Sequence, residues 1–245
     1  MRNVMIAALA ACAVGTLTPG VAQAAPGLGD EVYDATTTKG ELELEARLGE
    51  LAGGPDGGEN AAKLEVTYSP TDRLRVATLL ELERDKGGPR KAEAAAVEAI
   101  YTVGRFAGID VAVYGEYEVG LQRDTSDAVE GKLILQRKAG PIDARLNLIF
   151  EKHLAAGEKV EVGYAASADY AVLGDELRLG VEAYGELGTF HHFAPRAEHF
   201  VGPIVKTEIE GLGPDIEIEA GYLFAIDKAR ADTKGQVKLQ LEVEF

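Results

Sequence analysis

The sequence predicts an all-β fold, a transmembrane up-and-down antiparallel β-barrel of about 12 strands. Three observations carry that expectation. Segments of about ten residues with polar/apolar alternation recur from Glu41 to the C-terminus. A side-chain period of two belongs to a strand with one apolar and one polar face. The connections alternate between tight turns and longer loops. No apolar run after residue 24 approaches the ~20 residues a spanning helix needs, and barrels do not require one.

Taken in order, strands are expected at 41–48, 61–68, 73–84, 91–104, 109–122 and 129–138, then at 142–153, 159–172, 177–188, 200–210, 216–226 and 236–245. In 73–84, Leu74, Val76, Thr78, Leu80 and Leu82 alternate with Arg73, Arg75, Ala77, Leu79, Glu81 and Glu83. In 142–153, Ile142, Ala144, Leu146, Leu148 and Phe150 alternate with Asp143, Arg145, Asn147, Ile149 and Glu151. In 159–172, Val160, Val162, Tyr164, Ala166, Ala168, Tyr170 and Val172 share one face. The Ala-rich stretch 92–99 has helical propensity, yet Val97, Ala99, Tyr101 and Val103 keep the strand alternation. Tight turns are expected at 69–72, 105–108, 139–141, 173–176 and 211–215. The intervening connections, 49–60, 85–90, 123–128, 154–158, 189–199 and 227–235, are longer and more variable. A soluble sandwich has no reason to obey that parity, whereas a membrane barrel does.

The last segment is the most regular. Val237, Leu239, Leu241, Val243 and Phe245 alternate with Gln236, Lys238, Gln240, Glu242 and Glu244, and the chain stops on the aromatic. This resembles the closing strand of Gram-negative outer-membrane β-barrels, a porin-like class, over Glu41 to Phe245. The resemblance implies location in the outer membrane of a Gram-negative bacterium and contact with its lipids. It also implies insertion by the barrel assembly machinery, which would read Val237, Leu239, Leu241, Val243 and Phe245 as the assembly signal. Tyr68, Tyr101, Tyr170 and Phe245 at one end, with Phe150, Phe190 and Phe224 at the other, sketch two interfacial girdles.

The N-terminus agrees with that compartment. Arg2, the apolar stretch Val4 to Leu17, and Ala22-Gln23-Ala24 read as a secretory signal peptide over 1–24. Leu9-Ala10-Ala11-Cys12 offers a lipobox as the alternative cleavage site. Removal of 1–24 takes away Cys12, the one cysteine, and leaves no disulfide. Residues 25–38 are expected to be an unstructured periplasmic leader, with the barrel occupying 39–245. The formal net charge of −16 argues against nucleic acid and anionic membrane surfaces as partners.

The polar faces of the strands are expected to line the lumen. With the N-terminus periplasmic, Glu41, Glu43, Glu45, Glu208, Glu210, Glu217, Glu219, Glu242 and Glu244 fall on neighbouring strands in the periplasmic half, an acidic wall. Arg73, Arg75, Arg145 and Arg178 fall on the opposite arc, a basic wall. Across water the two walls set a transverse field and favour small polar or cationic solutes. In a narrow lumen the same side chains meet as ion pairs and fill it, giving a non-conducting structural or adhesive barrel. A third reading uses His191, His192 and His199 of one outer loop, with Glu198 nearby, as ligands for Zn²⁺ or Cu²⁺. No cofactor is expected, and no enzyme: Ser69, Ser126 and Ser167 are not expected within hydrogen-bond reach of a histidine. The reading the sequence supports is a channel for passive diffusion.

Overall fold

A computed structural model describes residues 27–174, 176–193, 197–211 and 213–245. The expected signal peptide and Cys12 lie outside the described residues. The chain forms β1 (Leu42–Leu51), β2 (Asn60–Thr71), β3 (Leu74–Arg84), β4 (Lys91–Phe106), β5 (Ile109–Gly120), β6 (Ala128–Ala139) and β7 (Ile142–His153). It continues with β8 (Glu161–Ala171), β9 (Arg178–Thr189), β10 (His192–Phe193), β11 (Glu198–Ile209), β12 (Asp215–Asp227), a single 3₁₀ turn (Lys228–Ala231) and β13 (Gly235–Glu244). β10 is a two-residue extension of the β9 hairpin, so twelve strands make the wall.

Every wall strand pairs antiparallel with its sequence neighbour, and β1 pairs with β13 to close the barrel. Closure removes the sheet edge, which is the condition for placing strands in lipid. The closing seam runs to the last residue. Phe245 donates its N–H to the Leu42 carbonyl at 2.9 Å, beyond the β13 ladder itself. The tight turns and longer loops fall on opposite ends, as expected: 72–73, 107–108 and 140–141 against 52–59, 121–127 and 154–160. The Ala-rich stretch is strand throughout, inside β4.

The side-chain distribution is inverted relative to a soluble domain. Val66, Val97, Val113, Val181, Leu239 and Leu241 are exposed on the outer face, while Arg47, Glu65, Lys132, Asn147, Glu182 and Glu219 are buried inside. Hydrophobic burial cannot hold such a sheet in water; an apolar solvent around the barrel can. The girdle aromatics Tyr68, Tyr101, Tyr170, Phe224 and Phe245 are exposed on that outer face, and Phe150 stacks on Phe190 at 6.0 Å between ring centres.

One element departs from expectation. Residues 27–38 have no regular secondary structure, but they do not hang free as a periplasmic leader. They thread the lumen, with Val32, Tyr33 and Ala35 buried in it. The alternation rule could not place them, because a chain that bonds through wall side chains has no period of its own.

Candidate functional site: the lumen and its threaded segment

The segment enters at the tight-turn end. There Gly40 N–H bonds the Ser69 carbonyl at 2.8 Å and Lys39 N–H bonds Asp72 Oδ1 at 3.2 Å. It leaves at the loop end, where Gly27 borders the same cavity as Glu83, Glu118 and His153. Side chains from many wall strands hold it. Asn147 on β7 accepts the Tyr33 N–H at 2.8 Å and donates to the Tyr33 carbonyl at 3.0 Å. Gln136 on β6 accepts the Ala35 N–H at 3.0 Å, and the Thr102 hydroxyl on β4 donates to the Ala35 carbonyl at 2.9 Å. Tyr184 on β9 donates to the Asp30 carbonyl at 3.1 Å, and Arg145 to the Val32 carbonyl at 3.3 Å. A buried backbone away from any ladder requires such partners, and the wall supplies them.

Charge pairs fix the segment's carboxylates. Asp30 meets Lys63 at 2.5 Å, Asp34 meets Arg75 at 3.2 Å, and Glu31 meets Arg47 at 3.5 Å. Arg47 also takes Glu45 at 2.7 Å and Glu65. Among the described residues, Glu31, Glu45 and Glu65 are the trio of carboxylates close enough to share a metal ion, but the Arg47 guanidinium already supplies their positive charge.

Apolar contacts complete the fit. Val32 packs into a cluster of Ile149, Ala165, Tyr184, Ile204 and Leu223. Tyr33 and Ala35 pack with Ile100, Ala112, Tyr114 and Ile134. The Tyr33 and Tyr114 rings lie 5.1 Å apart, and the Lys132 ammonium sits 4.4 Å from each, a cation–π arrangement. These wall residues occupy the polar, inward face of their strands. Ile149, for example, shares a face with Asp143, Arg145, Asn147 and Glu151. That break in the alternation was the available sequence signal for something apolar inside the barrel.

Cavities remain on either side of the segment. Toward the tight turns lies one of about 250 Å³. Of the expected acidic wall, Glu41, Glu43, Glu45, Glu217, Glu219, Glu242 and Glu244 line it, together with Arg75 and Arg145 of the expected basic wall. The strand register explains the gathering. Glu45 faces Glu242, Glu242 faces Glu217, and Glu217 faces Glu208, one row across β1, β13, β12 and β11. Glu43 and Glu244 face each other in the next row. The two signs are not separated into opposite walls as expected. Glu219 sits between Lys206 at 2.6 Å and Lys238 at 2.9 Å, and Lys238 also holds Glu182 at 2.6 Å. Arg178 bonds Asp169 at 2.5 Å beside a neighbouring cavity that Glu208 also borders. Glu210 lies past the end of β11 in an open depression, and Arg73 lies exposed in the tight turn before β3, so neither stands on the wall proper.

Toward the loops lies a second cavity, of about 310 Å³. Glu81, Glu83, Glu93, Glu116, Glu118, Glu130 and Glu151 line it, with Lys63 and Lys132 at the segment's side. Sequence reading missed this second group, although each residue lies on the polar face of β3 to β7.

The histidines separate. His191 and His192 are exposed at the β9–β10 turn, whereas His199 lies on β11 with its Nδ1 3.4 Å from the Tyr164 hydroxyl. Among the described residues no cluster of metal-ligating atoms includes a histidine. One serine does approach a histidine, contrary to expectation: Ser126 Oγ lies 3.4 Å from His153 Nδ1, whose Nε2 meets Glu151 at 3.0 Å. At 3.4 Å the hydroxyl contact is longer than a working hydrogen bond from a hydroxyl.

No family model and no curated protein matches the chain. Solved structures do. The NanC porin superposes with a TM-score of 0.56 at 10% identity, covering 82% of this chain and 98% of that one. The KdgM porin gives 0.54 at 11% identity, covering 83% and 98%. The same porin in complex with disordered oligogalacturonate gives 0.55 at 10% identity, covering 84% and 98%. Closed by twelve antiparallel strands with its apolar face outward, the chain has the β-barrel fold of the outer-membrane porins.

Proposed function

We propose that the protein is an outer-membrane, porin-like channel for passive diffusion of small polar solutes, with a preference for cations. One observation carries the reading. Inside the closed wall, polar cavities of about 250 and 310 Å³ lie toward the two ends, and between them lies the segment 27–38, which belongs to no β-ladder. The similar folds of the NanC and KdgM porins support a channel at this coarse level.

The cation preference rests on the carboxylate rows. Like charges placed directly across a sheet destabilise it. The row Glu45–Glu242–Glu217–Glu208 puts four carboxylates at one level of the lumen, with Arg47 pairing Glu45 and Lys206 3.9 Å from Glu217. Water and passing cations relieve that repulsion. Planar-bilayer recording under a salt gradient tests the reading: discrete conductance steps with a cation-selective reversal potential are expected. Absence of steps from pure, folded protein would sink it. The non-conducting barrel is the rival, favoured by the ion pairs of Lys206 and Lys238 with Glu219 and Glu182, and the same recording decides between them.

A further inference from the structure

We propose that residues 27–38 are a displaceable gate: docked, they close the lumen; undocked, they leave it open to solutes. The inference rests on the channel reading above and adds to it the part that opens and closes. The segment's fit to the wall is built on both sides. Three of its carboxylates meet three wall cations, Asp30 with Lys63, Glu31 with Arg47 and Asp34 with Arg75. Its buried apolar side chains, Val32, Tyr33 and Ala35, cover inward-facing Ile100, Ile134, Ile149, Ile204 and Leu223, which a water-filled pore would otherwise leave wet. The wall also makes room for the backbone. A β-carbon on Gly49, an inward position of β1, would fall on the backbone of Leu28 and Gly29.

The same contacts can be given up without unfolding the barrel. None is a β-ladder bond. The wall strands are closed through their own pairings, from β1–β13 around to β8–β9. On departure, the segment's freed amides and the wall's ions pass to water, so each lost hydrogen bond is exchanged for another and its net cost is small. A two-state segment of this kind shifts with whatever binds one state better, and salt or voltage can bias it through its three carboxylates.

The test is single-channel recording on full-length protein, a variant lacking residues 27–38, Gly49→Val, Asp34→Arg, and the Asp34→Arg/Arg75→Asp charge exchange. Barrel folding is checked by heat-modifiable gel mobility. The full-length channel is expected to be mostly closed with brief openings. The deletion should stay open, and Gly49→Val and Asp34→Arg should each raise open probability roughly tenfold. The charge exchange should restore closure. An Ala35→Cys variant, at a position with no exposure in the docked state, should react with a membrane-impermeant thiol reagent at a rate that follows open probability. Equal conductance and open probability in full-length and deleted barrels would overturn the gate while leaving the channel reading intact. Silence in both would overturn the channel reading and the gate with it. Steady opening of the deleted barrel, with Ala35→Cys unreactive in the full-length barrel, would show a fixed plug and also overturn the gate.

Discussion

A few inward side chains divide between two jobs, holding the threaded segment and gathering charge beside it. Asn147 has no exposed surface and spends both ends of its amide on the Tyr33 backbone. Asn147→Ala removes the partners of two buried backbone groups, the Tyr33 N–H and carbonyl, a penalty of about 1–3 kcal/mol for each group left unpaired. Limited proteolysis should then cut the N-terminal segment faster than in the parent, with barrel mobility on gels unchanged. Glu242 and Glu244 belong to the other job. Unlike Glu219, they have no lysine within ion-pair distance among the described residues and face the carboxylates Glu45 and Glu43 across the β1–β13 seam. Reversing both to Lys is expected to shift the zero-current potential toward the anion side. An unchanged potential would remove the carboxylate rows from the selectivity argument. Reversal at Glu219 is the poorer experiment, since it would leave Lys206 and Lys238 without their shared counter-ion.

Among the elements, β13 presents an apolar face outward and a polar face inward. Its outward residues Val237, Leu239 and Leu241, and Phe245 just after it, are exposed to the lipid side, while Lys238 and Gln240 are buried inside. Phe245 extends the closing seam by bonding Leu42. Deleting Phe245 should lower the yield of folded barrel in cells several-fold, measured as the heat-modifiable fraction. Phe245→Tyr, which keeps the backbone bond and the ring, should restore it. Strand positions and faces were legible in the sequence because a period of two survives any register; 142–153 was read without error. Boundaries slipped where a residue had a second meaning. The longer connection 49–60 was expected to begin at Gly49, yet β1 continues to Leu51 and Gly49 is there to admit the Leu28–Gly29 backbone. The Thr102/Gly104 and Val162/Gly163 bulges were likewise invisible, because an extra residue in one strand shows only against its partner.

At the scale of the whole molecule, the sequence disclosed the container and not its contents. Closure, strand number and inverted polarity followed from alternation and loop parity. The threaded segment did not, because residues 27–38 bond to side chains from strands far apart in sequence, Asn147 and Tyr184 among them. Only its negative print was readable: Ile134, Ile149 and Leu223 on faces otherwise polar. The acidic rows were legible because barrel closure makes strand neighbours predictable, whereas the pairing of Glu219 with two lysines needed the depth of each side chain.

A polar path through the barrel that ions can cross is tested by recording folded full-length protein in a planar bilayer under a salt gradient, beside the variant lacking residues 27–38. Discrete steps are expected in both, brief in the first and sustained in the second, with a cation-selective reversal potential. Silent bilayers from both proteins, each shown to be folded, would contradict it.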